Sequence, residues 1–185
     1  MNIIRNALWL IIFGTMISAC GGENTISAEN CDYLQSTSVA QRLENELATV
    51  GIGNFTASNY KPGVVRHIVL FRYKDTVTAE QRRDISRRFL ELQKSRRNGT
   101  TYIVSIEEGT QSSGEMADQR LQQGFIVTFN SEGDRNFYVG RPIISDPNYY
   151  DANHQAFKNF IGPLLAPRGA LVFDYTINQT SSGAE

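Results

Sequence analysis

Residues 64–73 are apolar on both faces of a predicted β-strand, and this feature limits most strongly which folds the chain can adopt. The segment is rich in Val, Ile and Phe, as strands are. His67, Val69, Phe71 and Tyr73 form one alternating set, and the complementary set is also largely apolar. Because one layer of helices covers only one face of a sheet, the other face needs a second cover. The sequence therefore predicts that two copies pair sheet to sheet.

The patterns after residue 64 alternate between strands and helices in the order β-α-β-β-α-β. Thr78 and Gln81 have the spacing of a capping box at a helix start, and Asn98-Gly99 is a strong turn signal. Two split βαβ units in this order give an α+β, ferredoxin-like fold, with a four-stranded antiparallel sheet and two helices on one face. The predicted strands are 64–73, 102–109, 124–129 and 169–177, and the predicted helices are 78–94 and 133–165, the second broken by prolines.

The N-terminus has the three parts of a secretion signal. Arg5 supplies a positive charge, and residues 7–16 form an apolar run that is too short to span a bilayer. Residues 17–20, Ile-Ser-Ala-Cys, resemble the lipobox of bacterial lipoproteins, in which the cysteine thiol accepts a diacylglycerol. We therefore predict that 1–19 is a removed signal peptide and that Cys20 carries lipid. The alternatives are a plain signal peptide with a chance cysteine, or an uncleaved anchor.

Four segments follow from these patterns: a signal at 1–19, a tether with an accessory helix at 20–63, the main domain at 64–177 and a flexible tail at 178–185. The accessory helix is predicted at 32–50, where apolar residues recur at helical spacing. A lipid on Cys20 would anchor the protein to a membrane of the cell envelope. Gly21, rather than Asp, after the cysteine resembles the pattern for sorting to the periplasmic side of the outer membrane, if the bacterium has two membranes.

Composition excludes several partners and sites. The formal net charge of −1 becomes −2 when Arg5 is removed, which leaves no footprint for nucleic-acid binding. Two cysteines and two histidines are too few for a zinc-type cluster. We therefore predict no metal and no cofactor. If Cys20 carries lipid, Cys31 is either a free thiol or part of an intermolecular disulfide, and the sequence allows both.

Three separated motifs resemble the stress-responsive A/B barrel (Dabb) family. They are Arg66–Phe71 in the first strand, Asp151–Phe157 in the last helix and Leu171–Tyr175 in the last strand. The resemblance covers roughly residues 64–177, with the motifs in the family's order. It implies a homodimeric α+β barrel, in which two sheets face each other across a central space and pockets lie between sheet and helices.

The same resemblance suggests residues for a site. Most of the family has no assigned activity, but one plant member is a polyketide cyclase that uses a His and a Tyr to drive an aldol condensation without a cofactor. Its catalytic His corresponds to His154, in the motif His154-Gln-Ala-Phe157, and a second pocket His corresponds to His67. Asn148 stands at the position of the catalytic Tyr. The chain therefore departs from the cyclase at the group that would polarise a carbonyl, and Tyr138 lies across a proline-containing insertion.

Each candidate residue has two interpretations. His154 is a candidate general base, because imidazole titrates near neutral pH, or it is a helix-capping or dimer-contact residue. If it lines a cavity, we expect it to contact solvent or ligand. His67 either belongs to the pocket or is a barrel-lining histidine. Asp151 either orients His154 or caps the helix. Asp174 is expected to be structural, paired with Arg66 or an edge amide.

Two functions remain after these considerations. The first is a lipid-anchored module that binds a small hydrophobic ligand or serves stress tolerance, and the missing Tyr favours it. The second is a cofactor-free cyclase or lyase that uses His154 as base, with His67 and Asp151 in support. The arginines of the first helix are expected to form a solvated face; they are Arg82, Arg83, Arg87 and Arg88.

Overall fold

The computed structural model describes residues 38–180. The predicted signal peptide at 1–19, Cys20 and Cys31 lie outside the described residues, as do the first part of the leader helix and residues 181–185. Within the described range, no helix is both long enough and apolar enough to cross a membrane.

Helices and strands alternate along the described chain as predicted. The helices are α1 (Val39–Val50), α2 (Ile52–Phe55), α3 (Ala79–Glu91), α4 (Glu132–Val139) and α5 (Ala152–Ile161). The strands are β1 (Pro62–Tyr73), β2 (Arg96–Arg97), β3 (Thr100–Thr101), β4 (Ser105–Thr110), β5 (Gln123–Ser131) and β6 (Leu165–Thr176). Short 3₁₀ turns lie at Leu92–Lys94, Pro147–Tyr149 and Gly162–Leu164.

The main sheet has four antiparallel strands in the order β4-β5-β1-β6. α4 packs on β1 and β5, while α3 packs on β4 and on α5. The predicted ferredoxin-like α+β fold is therefore confirmed. β2 and β3 form a separate hairpin around Asn98-Gly99, whose φ angles of 50° and 81° suit a tight turn.

The strand predicted at 102–109 begins later, at Ser105. Tyr102 and Ile103 are consecutive residues, yet both are buried, at 8% and 4% exposure. Successive side chains of a strand point to opposite faces, so two adjacent buried residues do not fit a strand with one open face. The chain between the hairpin and β4 therefore runs irregularly, with both side chains turned inward.

Local signals explain where the helices start and stop. Thr78 and Gln81 form the predicted capping box, with hydrogen bonds of 3.2 and 2.9 Å that satisfy two free amides of α3. The Ser38 hydroxyl accepts a hydrogen bond from the amide of Gln41 at the start of α1, and Gly51 (φ 78°) ends it. No residue of α1 is buried, so this accessory helix lies on the surface of the domain.

The two faces of the sheet differ in what covers them. His67 and its alternating neighbours in β1 are buried under the helices. Phe89 of α3 and Phe157 of α5 are buried on the same side, in the core between helices and sheet. The complementary set of β1 faces the open side, where Ile68 pairs with Ile126 and Phe173. Exposed apolar side chains continue this open face along β6; they are Leu171, Phe173 and Tyr175. One chain therefore covers only one of the two apolar faces of β1.

Candidate functional site

Both histidines of the chain lie together between the sheet and the helices. His67 comes from the middle of β1 and His154 from the first turn of α5, and their ring centroids are 6.3 Å apart in an edge-to-face arrangement. Their exposures are 3% and 6%. Two residues that are far apart in sequence and were predicted as a pair therefore do meet. The ring of His154 is buried away from bulk solvent, because α5 packs it into the domain, and its contact with a ligand stays a prediction.

His67 and Arg135 share one partner, the carboxylate of Asp174. Its Nδ1 is 2.7 Å from a carboxylate oxygen of Asp174, its cross-strand neighbour on β6, and Arg135 of α4 donates to the other oxygen at 2.8 Å. Burial alone would raise the pKa of Asp174, but the hydrogen bond from His67 and the charge of Arg135 hold it below its usual value. The two partners therefore keep Asp174 ionised inside the domain.

The predicted partner of Asp174, Arg66, is wrong. Arg66 lies on the open face of β1, where its guanidinium donates to the hydroxyl of Thr128. Adjacent residues of a strand point to opposite faces, so Arg66 and Asp174 are on different sides of the sheet. Arg135, which the sequence did not single out, takes the place next to Asp174.

His154 is held by Tyr138 in two ways. The rings stack with centroids 3.8 Å apart and planes 13° from parallel. The Nδ1 N–H of His154 donates to the backbone carbonyl of Tyr138 at 2.6 Å. In a neutral imidazole this leaves Nε2 without a proton, as a hydrogen-bond acceptor. Burial, together with the nearby His67, lowers the pKa of His154 from 6.5 to about 3, so the ring is neutral at physiological pH.

Tyr138 carries a phenol group that the sequence analysis did not place at the site. Its side chain is fully buried, and its hydroxyl has no hydrogen-bond partner. Burial raises the phenol pKa well above 10, and the carboxylates of Asp151 and Asp174 raise it further. Lys158 of α5 donates to the carbonyl of Val139 at 2.9 Å and so ties α5 to the end of α4. This packing across the proline-containing insertion brings Tyr138 onto His154.

Asp151 is the N-cap of α5. One carboxylate oxygen accepts hydrogen bonds from the amides of Asn153 and His154 at 2.7 and 3.2 Å, and the other accepts one from the hydroxyl of Tyr102. Its hydrogen bonds thus go to the helix backbone and to Tyr102, rather than to the imidazole of His154. Capping was one of its two predicted roles. Asn148 takes no part, since it bonds to Asp146 at 3.0 Å.

The model of the Stress responsive A/B Barrel Domain matches residues 65–177, which is more than half of the chain. The chain belongs to the stress-responsive A/B barrel family. The match includes both histidines, Tyr138 and Asp174, while α1 and α2 lie before it. No curated protein sequence matches the chain.

Solved structures include several that are similar to this chain in fold. An Arabidopsis thaliana protein is 23% identical with a TM-score of 0.50, and the alignment covers 64% of this chain and 99% of that one. A hydroxynitrile lyase from Passiflora edulis is 26% identical with a TM-score of 0.49, covering 65% and 99%. A dimeric ferredoxin-like protein of unknown function from Jannaschia is 16% identical with a TM-score of 0.48, covering 62% and 100%. Likenesses at this level concern the fold.

In residues 38–180, no group of three or more His, Cys, Asp or Glu side chains has an arrangement that could hold a metal ion. Arg87 and Arg88 of α3 are exposed and paired with Asp84, as a solvated face would be. Two arginines of this helix also lie over aromatic rings, Arg82 over Tyr73 at 5.3 Å and Arg88 over Phe160 at 4.3 Å. The catalytic roles of His154, His67 and Asp151 stay predictions.

Proposed function

We propose that this protein is a lipid-anchored homodimer of the cell envelope, whose A/B barrel domain binds a small, uncharged and largely apolar ligand at His154 and Tyr138. The observation that carries the proposal is the hydroxyl of Tyr138, which is fully buried and has no hydrogen-bond partner. Folded proteins leave few such groups, and each costs about 1–3 kcal/mol. A ligand that accepts its hydrogen bond would recover this free energy.

Tyr138 and His154 determine which functional groups the ligand must carry. Tyr138 offers a proton donor, which suits a carbonyl oxygen, and the unprotonated Nε2 of His154 offers an acceptor, which suits a hydroxyl or an enol. The surroundings are aromatic, since Phe129 lies 5.1 Å from Tyr138. Burying an unpaired charge here would be costly. A small carbonyl compound with a neighbouring hydroxyl or enol fits all three conditions.

Binding is favoured over catalysis by the basicity of His154. A general base works best when its pKa lies near the working pH, and a pKa of about 3 makes His154 a weak base but a good hydrogen-bond acceptor. The alternative function is a cofactor-free cyclase or lyase with His154 as base. It is supported by the fixed tautomer of His154 and by the phenol beside it. It requires that ligand entry raise the pKa of His154.

Native mass spectrometry of the full-length protein, released from membranes by detergent, tests the proposal. The wild type is expected to carry a small molecule, and Tyr138→Phe to lose it, because the substitution removes the donor and keeps the stacked ring. Compared with the ligand-free wild type, this variant should be more stable by about 1–3 kcal/mol, since an unsatisfied hydroxyl is removed. Tyr149→Phe, outside the site, is the control. Retention of the molecule by Tyr138→Phe would disprove the binding site.

The alternative has its own test. Turnover of a β-keto compound by the wild type, reduced at least about 100-fold in His154→Gln, would establish an enzyme. Binding without turnover in both proteins would establish a binding module.

The homodimer is supported by the open face of the sheet. Ile68, Leu70 and Ile126 continue the exposed surface of Phe173 and Leu171 across three strands. A contiguous apolar surface of this kind on a small domain marks an interaction site, and a second copy offers the same surface in return.

The lipid anchor is supported by Ile17-Ser18-Ala19-Cys20 after the apolar run. Cys20→Ser is expected to abolish labelling with palmitate and to release the chain from membranes, or to leave it uncleaved. Labelling that persists in Cys20→Ser would refute the anchor. Gly21→Asp is expected to retain the lipid and to change only the membrane in which the protein is found.

A further inference from the structure

A cavity of about 580 Å³ opens on the surface next to the buried site, and no role has yet been given to it. Its volume is in the range of small-molecule sites. Its lining is mostly polar and uncharged, with Ser58, Asn98, Thr100 and Asn130, and Tyr102 forms part of the wall. The ion pair of Arg97 and Asp134 also lies there.

Tyr102 separates this cavity from the site. It lines the cavity, yet its hydroxyl bonds to Asp151, the N-cap of the helix that carries His154. Its ring is stacked on Phe129 at 6.2 Å, and Phe129 in turn contacts Tyr138 at 5.1 Å. Tyr102, backed by Phe129, therefore lies between the cavity and the unpaired phenol of Tyr138.

The segment that carries Tyr102 is an irregular connection between the β2–β3 hairpin and β4. It follows directly on the β2–β3 hairpin, whose strands have two residues each and stand apart from the main sheet. Isolated two-stranded hairpins are marginally stable. Arg97 donates to the carbonyl of Thr56 at 2.7 Å and pairs with Asp134. After the hairpin, the carbonyl of Ile103 accepts a hydrogen bond from the side chain of Gln93 at 2.8 Å, and the amide of Val104 donates to the carbonyl of Thr128 at 2.9 Å. The Tyr102 hydroxyl bonds to Asp151, and its ring packs against Phe129 and Phe137.

We propose that this cavity is the entry site for the ligand of His154 and Tyr138. The side chain of Tyr102 is the door, which closes the passage from the cavity to these two residues and moves aside to admit the ligand. The inference rests on the proposed function. The ligand enters with its carbonyl first, and its outer end carries hydroxyl or amide groups that bond to the polar lining. Opening breaks the hydrogen bond from Tyr102 to Asp151 but leaves the bonds of Asp151 to the backbone amides of Asn153 and His154. The door therefore opens without uncapping α5.

Kinetics of probe binding to the full-length protein test the door. The probe is acetylacetone, an uncharged compound with a carbonyl and an enol, and the exchange rates are read from NMR line shapes. Tyr102→Phe removes the hydrogen bond that closes the door and keeps the ring. Association and dissociation rates are both expected to rise about tenfold, the effect of one lost hydrogen bond, while Kd changes less than about twofold. A tenfold weaker Kd with an unchanged association rate would make Tyr102 a contact residue and overturn the door.

A second measurement needs no ligand. Diethyl pyrocarbonate modifies exposed imidazoles, and peptide mass spectrometry locates the adduct on His154. Tyr102→Ala is expected to raise the modification rate of His154 at least about tenfold, while Tyr149→Phe leaves it unchanged; thermal melts confirm that each variant is folded. An unchanged rate in folded Tyr102→Ala refutes the door. A raised rate without any acetylacetone binding supports the door and counts against the proposed ligand class.

Discussion

The two faces of the main sheet differ in how their side chains are covered, although β1 brings apolar residues to both. On the covered face, His67 and Arg135 are buried, and both bond to the partly buried carboxylate of Asp174. On the open face, large apolar groups are left to solvent. Val172 and Phe173 are neighbours on β6 with nearly equal exposures of 57% and 58%. Val172 pairs with the buried Val69 and so lies on the helix side, while Phe173 pairs with Ile68 on the open side.

This difference shows that apolar composition does not identify the covered side of a strand. Both sets of β1 contain large aliphatic or aromatic residues, but only one contains a histidine that meets a carboxylate across the strands. A buried polar group needs partners from a second layer, and Arg135 of α4 provides one. An apolar group needs only to leave water, so its cover can come from another molecule.

The largest effect is expected on the covered face, from Asp174→Ala. This change leaves His67 and Arg135 without their shared partner, and breaking a buried ion pair in this way costs about 3 kcal/mol. Chemical denaturation at fixed protein concentration measures the loss. Asp174→Asn keeps the shape and one acceptor, so its loss should be smaller. A cost below about 1 kcal/mol for Asp174→Ala would mean that these bonds add little to stability.

The second largest effect is expected on dimerisation, from a charge placed on the open face of β6. Phe173→Asp is expected to weaken the homodimer at least about 100-fold, or about 2.7 kcal/mol, because it places a charge in an apolar interface. Val172→Asp, one residue away with equal exposure, should leave the dimer intact because it lies on the other face. Sedimentation velocity of both variants measures association. Equal weakening by the two changes would contradict pairing through the open face.

The pH dependence of the free energy of unfolding tests the covered face without a mutation. Burial lowers the pKa of His154 from 6.5 to about 3, so between these values the unfolded chain binds a proton that the folded one does not. The free energy of unfolding should therefore fall as the pH drops, by about 2 kcal/mol from pH 7 to pH 5. His154→Phe is expected to flatten this part of the profile. Asp174, whose pKa is below its usual value, would contribute only at lower pH.

The smallest effect is expected on the open face, from Gly124→Ala. The added methyl group would lie 2.8 Å from Cδ2 of Leu70, which is the end of a flexible side chain and can rotate away. The cost should be under about 1 kcal/mol in thermal melts. Gly109, its cross-strand partner, has nothing within 4 Å of such a group, so Gly109→Ala is the control. A large loss from Gly124→Ala would indicate that the open face is as tightly packed as the core.

Signals that act over a few residues could be read from the sequence. The capping box at Thr78, the end of α1 at Gly51 and the turn at Asn98-Gly99 all depend on local hydrogen bonds or on backbone freedom. The order of strands and helices follows from them. His67 and His154 were found through motifs that the family resemblance supplied.

Signals that depend on packing could not be read in this way. Which alternating set of β1 faces the helices is a one-residue question of register, and the sequence left both sets open. Arg66, one of the two partners predicted for Asp174, lies on the other face of the sheet. Tyr138 and Tyr102 reach the site because α4, α5 and the segment before β4 pack together across long stretches of chain. Only the fold brings such residues into contact.

The hydrogen bond between Tyr102 and Asp151 has an electrostatic consequence for what could pass the door. While the door is closed, one oxygen of this carboxylate is occupied by the phenol and the other by the amides of α5. When Tyr102 moves away, the first oxygen faces the passage as a bare negative charge in a site of low polarity, where such charges act strongly. The passage would then repel carboxylates and phosphates and admit neutral molecules. Asp151 would thus select by charge before His154 and Tyr138 select by hydrogen bonding.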